Sequence, residues 1–271
     1  MPELPEVETV ARGIRPHVVN QTVETVIVRQ PQLRWRVPDQ LDEILKDLAI
    51  RSVTRRGKYL LLETVKGTLI IHLGMSGQLR VLDKDTELKK HDHVDIVFKN
   101  NTLLRFNDTR RFGAVLWTDE AIEHHPLIKV LGVEPLSDEF TADSLFKATR
   151  KRNVPIKTFV MNSHVVVGVG NIYANEALFM AGILPERLAL TLELGDCQRL
   201  VVCIREVLAK AIEQGGTTLK DFVNEAGKAG YFQQVLRVYG RGGLPCLVCE
   251  TPLSAIRINN RSTVFCSHCQ K

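Results

Sequence analysis

The sequence has no long apolar run, no basic leader and no nucleotide-binding lysine motif, and each absence removes a class of protein. No stretch approaches the roughly 20 consecutive apolar residues of a membrane span. The first residues, MPELPEVETV, are acidic, whereas a secretory signal peptide begins basic and then turns apolar. The Gly-rich stretch GVGN at 168–171 lacks the Lys-Ser/Thr pair of a P-loop. We therefore expect a cytoplasmic protein with no membrane contact that binds neither ATP nor GTP.

The composition is that of a globular protein with a mild excess of positive charge. Hydrophobic residues make up 44% of the 271 residues, enough for one large domain or two ordinary ones plus a small module. Lys and Arg total 36 against 31 Asp and Glu, which gives a net charge of +5. That excess is compatible with a polyanionic partner without requiring one. No feature predicts an oligomer, so we expect a monomer.

The six cysteines divide into two groups, and a cytoplasmic location argues against disulfides for both. Cys197 and Cys203 lie in an apolar helical pattern and are predicted to be core thiols. The other four form two Cys-x-x-Cys pairs with 16 residues between them, the spacing of a zinc site. Four thiolates complete a tetrahedron, so the predicted zinc ion is structural and holds together a segment too small to fold alone. The predicted ligands are Cys246, Cys249, Cys266 and Cys269.

The N-terminal stretch PELPEVE at 2–8 has two interpretations. A helix start explains most of it, because proline is favoured in the first turn and carboxylates suit the positive end of the helix dipole. A helix start does not explain Pro2. If an aminopeptidase removes Met1, the secondary amine of Pro2 becomes the N-terminus and lies beside Glu3. This stretch alone leaves both interpretations open.

Residues 22–118 are predicted to be β-structure, and the residues from about 140 to about 223 to be helical. The first region contains short apolar clusters separated by Gly, Asn and Asp, which is typical of a sandwich or barrel-like pair of sheets. Around GVEPLSDEF at 132–140 the pattern changes, with Ser137 and Asp138 as candidate helix caps. Asn259 and Asn260 predict a hairpin turn in the cysteine module, with Arg261 at its tip.

Several turns that we expect to be exposed carry residues suited to contact nucleic acid, although each residue is also explained by an ordinary structural role. Lys58 is expected at the start of a strand beside a cleft, or is simply a charged strand end. Met75 lies between two glycines, where it would act as a wedge. Arg110 and Phe112 on another turn suit phosphate contact and insertion between bases. Either of these two turns alone is better explained by a structural role; both together, in a basic chain with a predicted zinc finger, favour nucleic acid.

Three further stretches have weaker signals. His91 and His93 share one face if they lie on a strand, which permits a metal site, a phosphate contact from His91 or a polar strand start; no third ligand is evident nearby. Arg152 belongs to the short basic run RKR. Asn171 follows the Gly-rich turn at 168–170, where backbone N–H groups and a helix N-terminus suit a phosphate.

Taken together, these motifs resemble the bacterial formamidopyrimidine-DNA glycosylases, which act on 8-oxoguanine. The resemblance covers nearly the whole chain in the same order, and the PELPEVE start combined with a four-cysteine finger is a specific pair. Leu4 favours this group over the related endonuclease VIII enzymes, whose start reads PEGPE. The matching stretches are PELPEVE (2–8), RRGKYL (55–60), HLGMSG (72–77), KHDH (90–93), RRFG (110–113), GVGNIY (168–173), QGGTTLKDF (214–222) and the finger.

The resemblance implies an α+β multidomain fold. Its parts are an N-terminal two-sheet β-sandwich with flanking helices at 1–131, a helical domain with a helix-two-turns-helix motif at 132–236, and a zinc-finger β-hairpin at 237–271. The chain departs from the family's usual residues at three positions. Asn175 stands where an acidic residue is common, Thr158 where proline is common, and Arg152 where lysine is usual.

The resemblance also implies a bifunctional DNA glycosylase and abasic-site lyase of base excision repair. Pro2 would attack the C1′ carbon of the damaged nucleotide, and Glu3 would act as the acid/base. Lys58 would assist β-elimination and Arg261 δ-elimination. The partner would be double-stranded DNA that contains an oxidised purine or an abasic site.

The remaining implied roles concern binding. Met75, Arg110 and Phe112 would fill the gap left by the flipped base and probe the opposite base. Glu6 and Glu176 would line the lesion pocket, although Glu6 is also explained as a helix-start charge. The loop at 217–231 would cover the flipped base. The implied DNA-contacting residues, mostly at phosphates, are His91, Arg110, Arg152, Asn171 and Arg261.

Three alternatives remain at this point. An endonuclease VIII-like enzyme would act on oxidised pyrimidines. A catalytically silent relative would bind DNA without cutting it, although the combination of Pro2, Glu3 and Lys58 argues against that. A tautomerase-type isomerase also uses an N-terminal proline, but such chains are short and have no zinc finger.

Overall fold

The computed structural model describes residues 2–215 and 236–271, and these fall into two compact units. The first comprises residues 2–129, and the second comprises 130–214 with 236–271. The predicted loop at 217–231 lies outside the described residues. Within the described ranges, no helix combines the length and the apolar character that a membrane crossing needs.

Helix α1 (Leu4–Val18) begins the first unit, as the sequence predicts. Pro5 lies in the first turn, and Glu3 is the N-cap residue. The apolar positions recur at helical spacing and are buried, so one face of the helix joins the core. The helix residues in that core are Val7, Val10, Ala11, Ile14 and Val18.

Two four-stranded antiparallel sheets complete the first unit. One has the order β1-β6-β7-β5 and the other β2-β3-β4-β8. Both sheets and α1 contribute side chains to one hydrophobic core, which confirms the predicted two-sheet sandwich. The strands are Val23–Val28 (β1), Ser52–Arg56 (β2), Tyr59–Glu63 (β3), Thr68–His72 (β4), Gly77–Asp83 (β5), Asp92–Phe98 (β6), Thr102–Asp108 (β7) and Ala114–Thr118 (β8). The short helices α2 (Leu41–Leu45) and α3 (Pro126–Lys129) and a 3-10 turn at Ile122–His124 flank them.

The second unit is helical up to residue 213. Its first helix is capped at Thr141, whose hydroxyl accepts the N–H of Ser144. The caps predicted at Ser137 and Asp138 are therefore wrong by a few residues, because the Thr141–Ser144 capping box outcompetes them. The helices are Ala142–Thr149 (α4), Ile156–Val160 (α5), Asn171–Ala181 (α6) and Leu194–Glu213 (α7), with a 3-10 turn at Ala189–Thr191.

A second hydrophobic core surrounds α6, which is buried on nearly every face. Cys197 is one of its fully buried members and Cys203 packs against it. Burial raises the pKa of the Cys197 thiol to about 11, so this thiol is unreactive at neutral pH. The prediction of a core thiol is confirmed for Cys197, whereas Cys203 is half-buried at the edge of the core.

The chain ends in a two-stranded antiparallel hairpin, Ser254–Ile258 (β9) and Arg261–Phe265 (β10). Asn259 and Asn260 both have positive φ, at 48° and 60°. Two such residues make the type I′ turn that matches the twist of a hairpin. The turn is where the sequence predicts it. Arg261 is the first residue of β10 and lies one position beyond the tip.

Candidate active site and nucleic-acid interface

The start of α1 places two buried carboxylates directly after Pro2. Glu3 is 3% exposed and Glu6 is 1% exposed. The backbone N–H of Glu3 donates to Oε2 of Glu6 at 2.8 Å, which is one half of a capping box. Pro2 is also buried. The N-terminal residue pair is thus held against the first turn of a helix, where the positive end of the dipole lies.

Lys58 lies in the two-residue turn between β2 and β3, one residue before the strand on which we predicted it. Gly57 supplies the positive φ, 57°, that this turn requires. Arg55 holds the turn, since its Nη1 donates to the Gly57 carbonyl at 2.9 Å and its Nε to Glu8 at 3.0 Å. The turn that carries Lys58 is therefore fixed to the helix that begins after Pro2.

His72, which sequence reasoning missed, lies beside this turn. It pairs across the strands with Tyr59, with the ring centroids 4.9 Å apart. Its Nδ1 accepts the N–H of Gly74 at 3.0 Å. Burial, together with the positive charges of Arg34 and Lys58, lowers the pKa of His72 to about 4. The ring is therefore neutral at physiological pH and carries its proton on Nε2.

Two adjacent turns present the exposed side chains that were predicted to enter DNA. Met75 is 36% exposed and Phe112 is 44% exposed, although both are large apolar groups. Arg110 is exposed and its guanidinium carbon lies 4.8 Å from the Phe112 ring centroid, a cation–π contact. The structure thus brings a wedge-like thioether, a cation and an aromatic ring to one surface.

The two histidines of the KHDH stretch do not share a strand face. His91 precedes β6 and has a positive φ of 72°, so it is turned away from the regular strand geometry. His93 is buried, and its Nε2 bonds the carbonyl of Asp108 at 2.8 Å. Over residues 2–215 and 236–271, the cysteine set is the sole group of three or more potential ligands. The structure favours the non-metal interpretations of this pair.

In the second unit, Arg152 and Arg261 line one cavity of about 390 Å³. Arg152 follows α4 and Arg261 opens β10, and both are exposed. Thr158 and Asn259 also line the cavity and are hydrogen bonded to each other at 3.0 Å. Two predicted DNA-contacting cations that are far apart in sequence are therefore neighbours around one concave surface.

Strand β10 is fixed to the helices by buried polar groups. Lys157, 1% exposed, donates from Nζ to the Ser262 carbonyl at 2.8 Å and to the Thr263 hydroxyl at 2.6 Å. Asn171 donates to the same Ser262 carbonyl at 3.0 Å. The Asn171 Nδ2 group, which was predicted to face a phosphate, is thus hydrogen bonded to β10, the strand that begins with Arg261. Sequence reasoning missed Lys157, because a lysine in an amphipathic helix ordinarily faces solvent.

Glu176 lies on α6, 4% exposed, and its two carboxylate oxygens accept three consecutive backbone N–H groups. The donors are the N–H groups of Arg237, Val238 and Tyr239, at 2.8, 2.9 and 2.8 Å. This geometry anchors residues 237–239 to the helix. The lesion-pocket role predicted for Glu176 stays a prediction.

The four sulfurs of the cysteine module fit one tetrahedral metal ion. All four lie within 4.8 Å of one another, with separations of 3.4 Å between Cys249 and Cys266 and 4.0 Å between Cys246 and Cys269. Zn–S bonds of about 2.3 Å in a tetrahedron place sulfurs about 3.8 Å apart. The donor set is all thiol, which suits zinc, and it leaves no open coordination position for chemistry.

Family models match the chain in three consecutive parts. The formamidopyrimidine-DNA glycosylase N-terminal domain matches residues 1–115, and the H2TH domain of the same enzymes matches residues 131–223. The zinc finger found in these glycosylases and in IleRS matches residues 243–271. The chain belongs to the formamidopyrimidine-DNA glycosylase family. This membership confirms the predicted DNA glycosylase of base excision repair, the predicted fold class and a single structural zinc ion.

Full-length relatives and solved structures agree with the family. The formamidopyrimidine-DNA glycosylases of Thioalkalivibrio sulfidiphilus and Marinobacter nauticus are 58% and 56% identical over 271 residues, which cover 100% of each chain. The MutM (Fpg) protein of Thermus thermophilus superposes with a TM-score of 0.89 at 38% identity and covers 99% of this chain and 98% of its own.

A structure from Lactococcus lactis adds a bound lesion-containing DNA. That Fpg (MutM) protein, in complex with DNA containing N7-benzyl-Fapy-dG, has a TM-score of 0.91 at 33% identity, and each chain covers 100% of the other. The same protein is also known with DNA that contains an abasic site, at a TM-score of 0.90.

Proposed function

We propose that the protein excises oxidised purines, such as 8-oxoguanine and formamidopyrimidines, from duplex DNA and then cuts the strand. The observation that carries the proposal is Pro2 beside Glu3 at the start of α1, in a chain of this family. The Lactococcus lactis relative, solved with Fapy-type and abasic-site DNA, supports both the lesion class and the second reaction. In a bacterial cell the protein would work in the cytoplasm on the chromosome, as a monomer.

The first step is attack by the Pro2 amine on the C1′ carbon of the damaged nucleotide, after Met1 is removed. The amine must be neutral to attack. An α-amino group has an ordinary pKa near ~8 against ~10.4 for a lysine side chain, so a larger fraction is ready at neutral pH. As the N–C1′ bond forms, the C1′–base bond breaks; the base leaves with the bonding electrons and takes up the proton that the Pro2 nitrogen loses. Glu3 donates a proton to the ring oxygen as the sugar opens.

The product is an iminium that links Pro2 to the sugar, and its positive charge acidifies the C2′ hydrogen. Loss of that proton expels the 3′ phosphate by β-elimination, and the 5′ phosphate follows by δ-elimination. We assign Lys58 to the first elimination and Arg261 to the second. Arg55 holds the Lys58 turn to α1, which gives Lys58 a fixed position relative to the helix that Pro2 precedes.

Binding is assigned to the exposed groups on the two units. Arg110 and Phe112, stacked on each other, and Met75 would fill the space left by the flipped base. His91, Arg152, Asn171 and Arg261 would contact the DNA backbone. Zinc takes no part in the chemistry; it holds the hairpin that carries Arg261.

The experiment measures strand cutting of a duplex with 8-oxoguanine opposite cytosine. Pro2→Gly and Glu3→Gln variants should lose excision. Pro5→Ala, which alters the same helix turn and leaves both proposed reacting groups in place, is the matched control and should retain it. Unchanged cutting by Pro2→Gly would contradict the proposed nucleophile. A parallel duplex with an oxidised pyrimidine tests the endonuclease VIII-like alternative, which predicts faster cutting of that substrate.

A further inference from the structure

Asp108 is a buried carboxylate that no step of the proposed reaction uses. It is the last residue of β7 and is 0% exposed. Its Oδ1 accepts the Ser76 hydroxyl at 2.6 Å and the Arg110 N–H at 3.2 Å. Its Oδ2 accepts the Gly113 N–H at 2.8 Å. Both oxygens are therefore committed to donors that lie on two different turns.

Those two turns are the ones that present Met75, Arg110 and Phe112. Ser76 directly follows Met75, while Arg110 and Gly113 flank Phe112. The N–H of Arg110 lies within 3.2 Å of the Ser76 hydroxyl as well, so the turns share one hydrogen-bond network.

The backbones of the two turns are also in close contact. A Cβ atom added at Gly74 would lie 2.4 Å from the carbonyl carbon of Phe112. Arg111 has a φ of 56°, an unfavourable conformation for a residue with a side chain. Strained backbone of this kind persists where surrounding bonds over-determine it, and Asp108 supplies those bonds on both sides of Arg111.

We propose that Asp108 is a positioning residue that fixes Met75, Arg110 and Phe112 as one rigid unit for insertion into DNA. The inference rests on the proposed function, in which these three side chains replace the flipped nucleotide. Exposed side chains on independent turns would have to be ordered at the moment of insertion. A shared buried carboxylate orders the turns before DNA binds, so insertion has a smaller cost in conformational entropy.

Asp108→Asn is the informative substitution because it keeps the shape and removes one acceptor. The three donors need both carboxylate oxygens. The introduced amide would offer one acceptor oxygen. Its NH₂ group would face the backbone N–H of either Gly113 or Arg110, so that two donors meet with no acceptor. One turn is then released. Ser76→Ala removes one donor only and should give a smaller effect in the same direction.

The control is Asp95→Asn. Asp95 is equally buried, on β6, but its oxygens accept from Arg29 and Arg105 and touch neither turn. A general loss of stability would affect this variant as well. A specific effect on the turns would not.

The experiment combines three measurements on the full chain. One is single-turnover excision of 8-oxoguanine, and another is binding to an undamaged duplex. The last is the fluorescence rise of a 2-aminopurine placed beside the lesion, which reports unstacking when side chains enter the duplex. Asp108→Asn should lower the excision rate and the rate of the fluorescence rise by roughly ten- to hundredfold. Its affinity for undamaged duplex and its zinc content should match the wild type, and Asp95→Asn should keep wild-type insertion.

Unchanged insertion and excision in Asp108→Asn, or equal losses in Asp95→Asn, would overturn the inference. If Asp108→Asn does not fold, Ser76→Ala decides on the same readouts, and wild-type insertion in that variant would overturn it. If the wild type itself does not excise 8-oxoguanine, the proposed function fails instead, and the fluorescence step at an abasic-site duplex still decides the role of Asp108.

Discussion

At the scale of single residues, the first turn of α1 shows how one side chain fixes the backbone of another residue. Glu6 accepts the Glu3 N–H at 2.8 Å, so it fixes the backbone of the residue assigned as acid/base. This bond favours the helix-start interpretation of Glu6. The pocket-lining role implied by the family stays a prediction, and the two roles are separable by experiment.

Glu6→Ala should destabilise the protein by about 1 kcal/mol, the typical value for a lost helix cap. Glu6→Gln keeps an oxygen that accepts the Glu3 N–H, so its free energy of unfolding should stay close to wild type. Urea unfolding of the two variants measures the difference. Equal destabilisation by both would show that the charge of Glu6, and not its acceptor oxygen, stabilises the helix start.

His72 gives a pH prediction whose sign follows from its pKa, lowered from 6.5 to about 4 chiefly by burial. Between these two values the unfolded chain binds the proton and the folded chain does not, so acid favours unfolding. His72→Asn has a non-titrating acceptor for the Gly74 N–H. Relative to wild type, this variant should therefore gain stability as the pH falls from 6.5 to 4. Unfolding curves at several pH values test this, and a pH-independent difference would contradict it.

The site residues that could be predicted from the sequence and those that could not differ in their exposure to solvent. Met75 and Phe112 stood out because large apolar groups between glycines or beside arginines have no evident core to enter. Asp108 ends a strand before a turn, a position where aspartate is ordinarily solvated, so nothing in the sequence signals its burial. His72 was hidden because its partner Tyr59 lies on another strand, and single-sequence patterns do not give strand register.

At the scale of elements, the departures at Asn175 and Thr158 both contact the C-terminal hairpin. Asn175 is fully buried; its Oδ1 accepts the Val264 N–H at 2.8 Å and its Nδ2 donates to the Asn171 carbonyl at 2.6 Å. Thr158 accepts the exposed Asn259 amide at 3.0 Å. The hairpin is thus attached to α5 by Thr158 and to α6 by Asn175.

Asn175→Asp should destabilise the protein by about 1–3 kcal/mol, because its second oxygen would face the Asn171 carbonyl with no proton between them. Thr158→Ala is the matched comparison; it removes an exposed bond to the same hairpin and should have little effect. Thermal unfolding of both variants measures this. A tolerated Asn175→Asp would show that the hairpin does not depend on this buried amide.

The β9–β10 hairpin and its four cysteines give a prediction about strand cutting and metal content. Arg261→Gln should impair strand cutting while the metal content stays at one zinc per chain, because Arg261 is exposed and the four thiols are untouched. Cys249→Ala should lose the metal and the cutting together. Metal analysis alongside the cutting assay tests both. Full cutting by Arg261→Gln would show that this arginine has no role in strand cutting.

The elements themselves were largely predictable, because hydrophobic periodicity and turn residues set them. The strands between 22 and 118, the start of α1 and the Asn259–Asn260 turn follow from such local patterns. The start of α4 was misplaced by a few residues because several capping residues compete in the sequence SDEFTADS. The order of strands in each sheet depends on long-range pairing, and the pattern of a single chain does not encode it visibly.

At the scale of the whole molecule, the family membership and the metal site accompany the proposed N-terminal nucleophile. The zinc spacing and the PELPEVE start are local signals at opposite ends of the chain, and in combination they are specific enough to indicate the family. The mild net charge of +5 is uninformative by comparison. What the structure adds is the support around the proposed site residues: Arg55 bonded to the Lys58 turn, Lys157 bonded to β10, and Asp108 bonded to both turns that carry Met75, Arg110 and Phe112.

Borohydride trapping is the direct test of the proposed covalent role of Pro2. The protein is incubated with a duplex that contains 8-oxoguanine opposite cytosine, borohydride is added, and any protein–DNA adduct is mapped by peptide mass analysis. Met1 removal is verified in the same sample. We expect a reduced adduct on Pro2. An adduct on a lysine such as Lys58, or none at all from protein that lacks Met1, would contradict it.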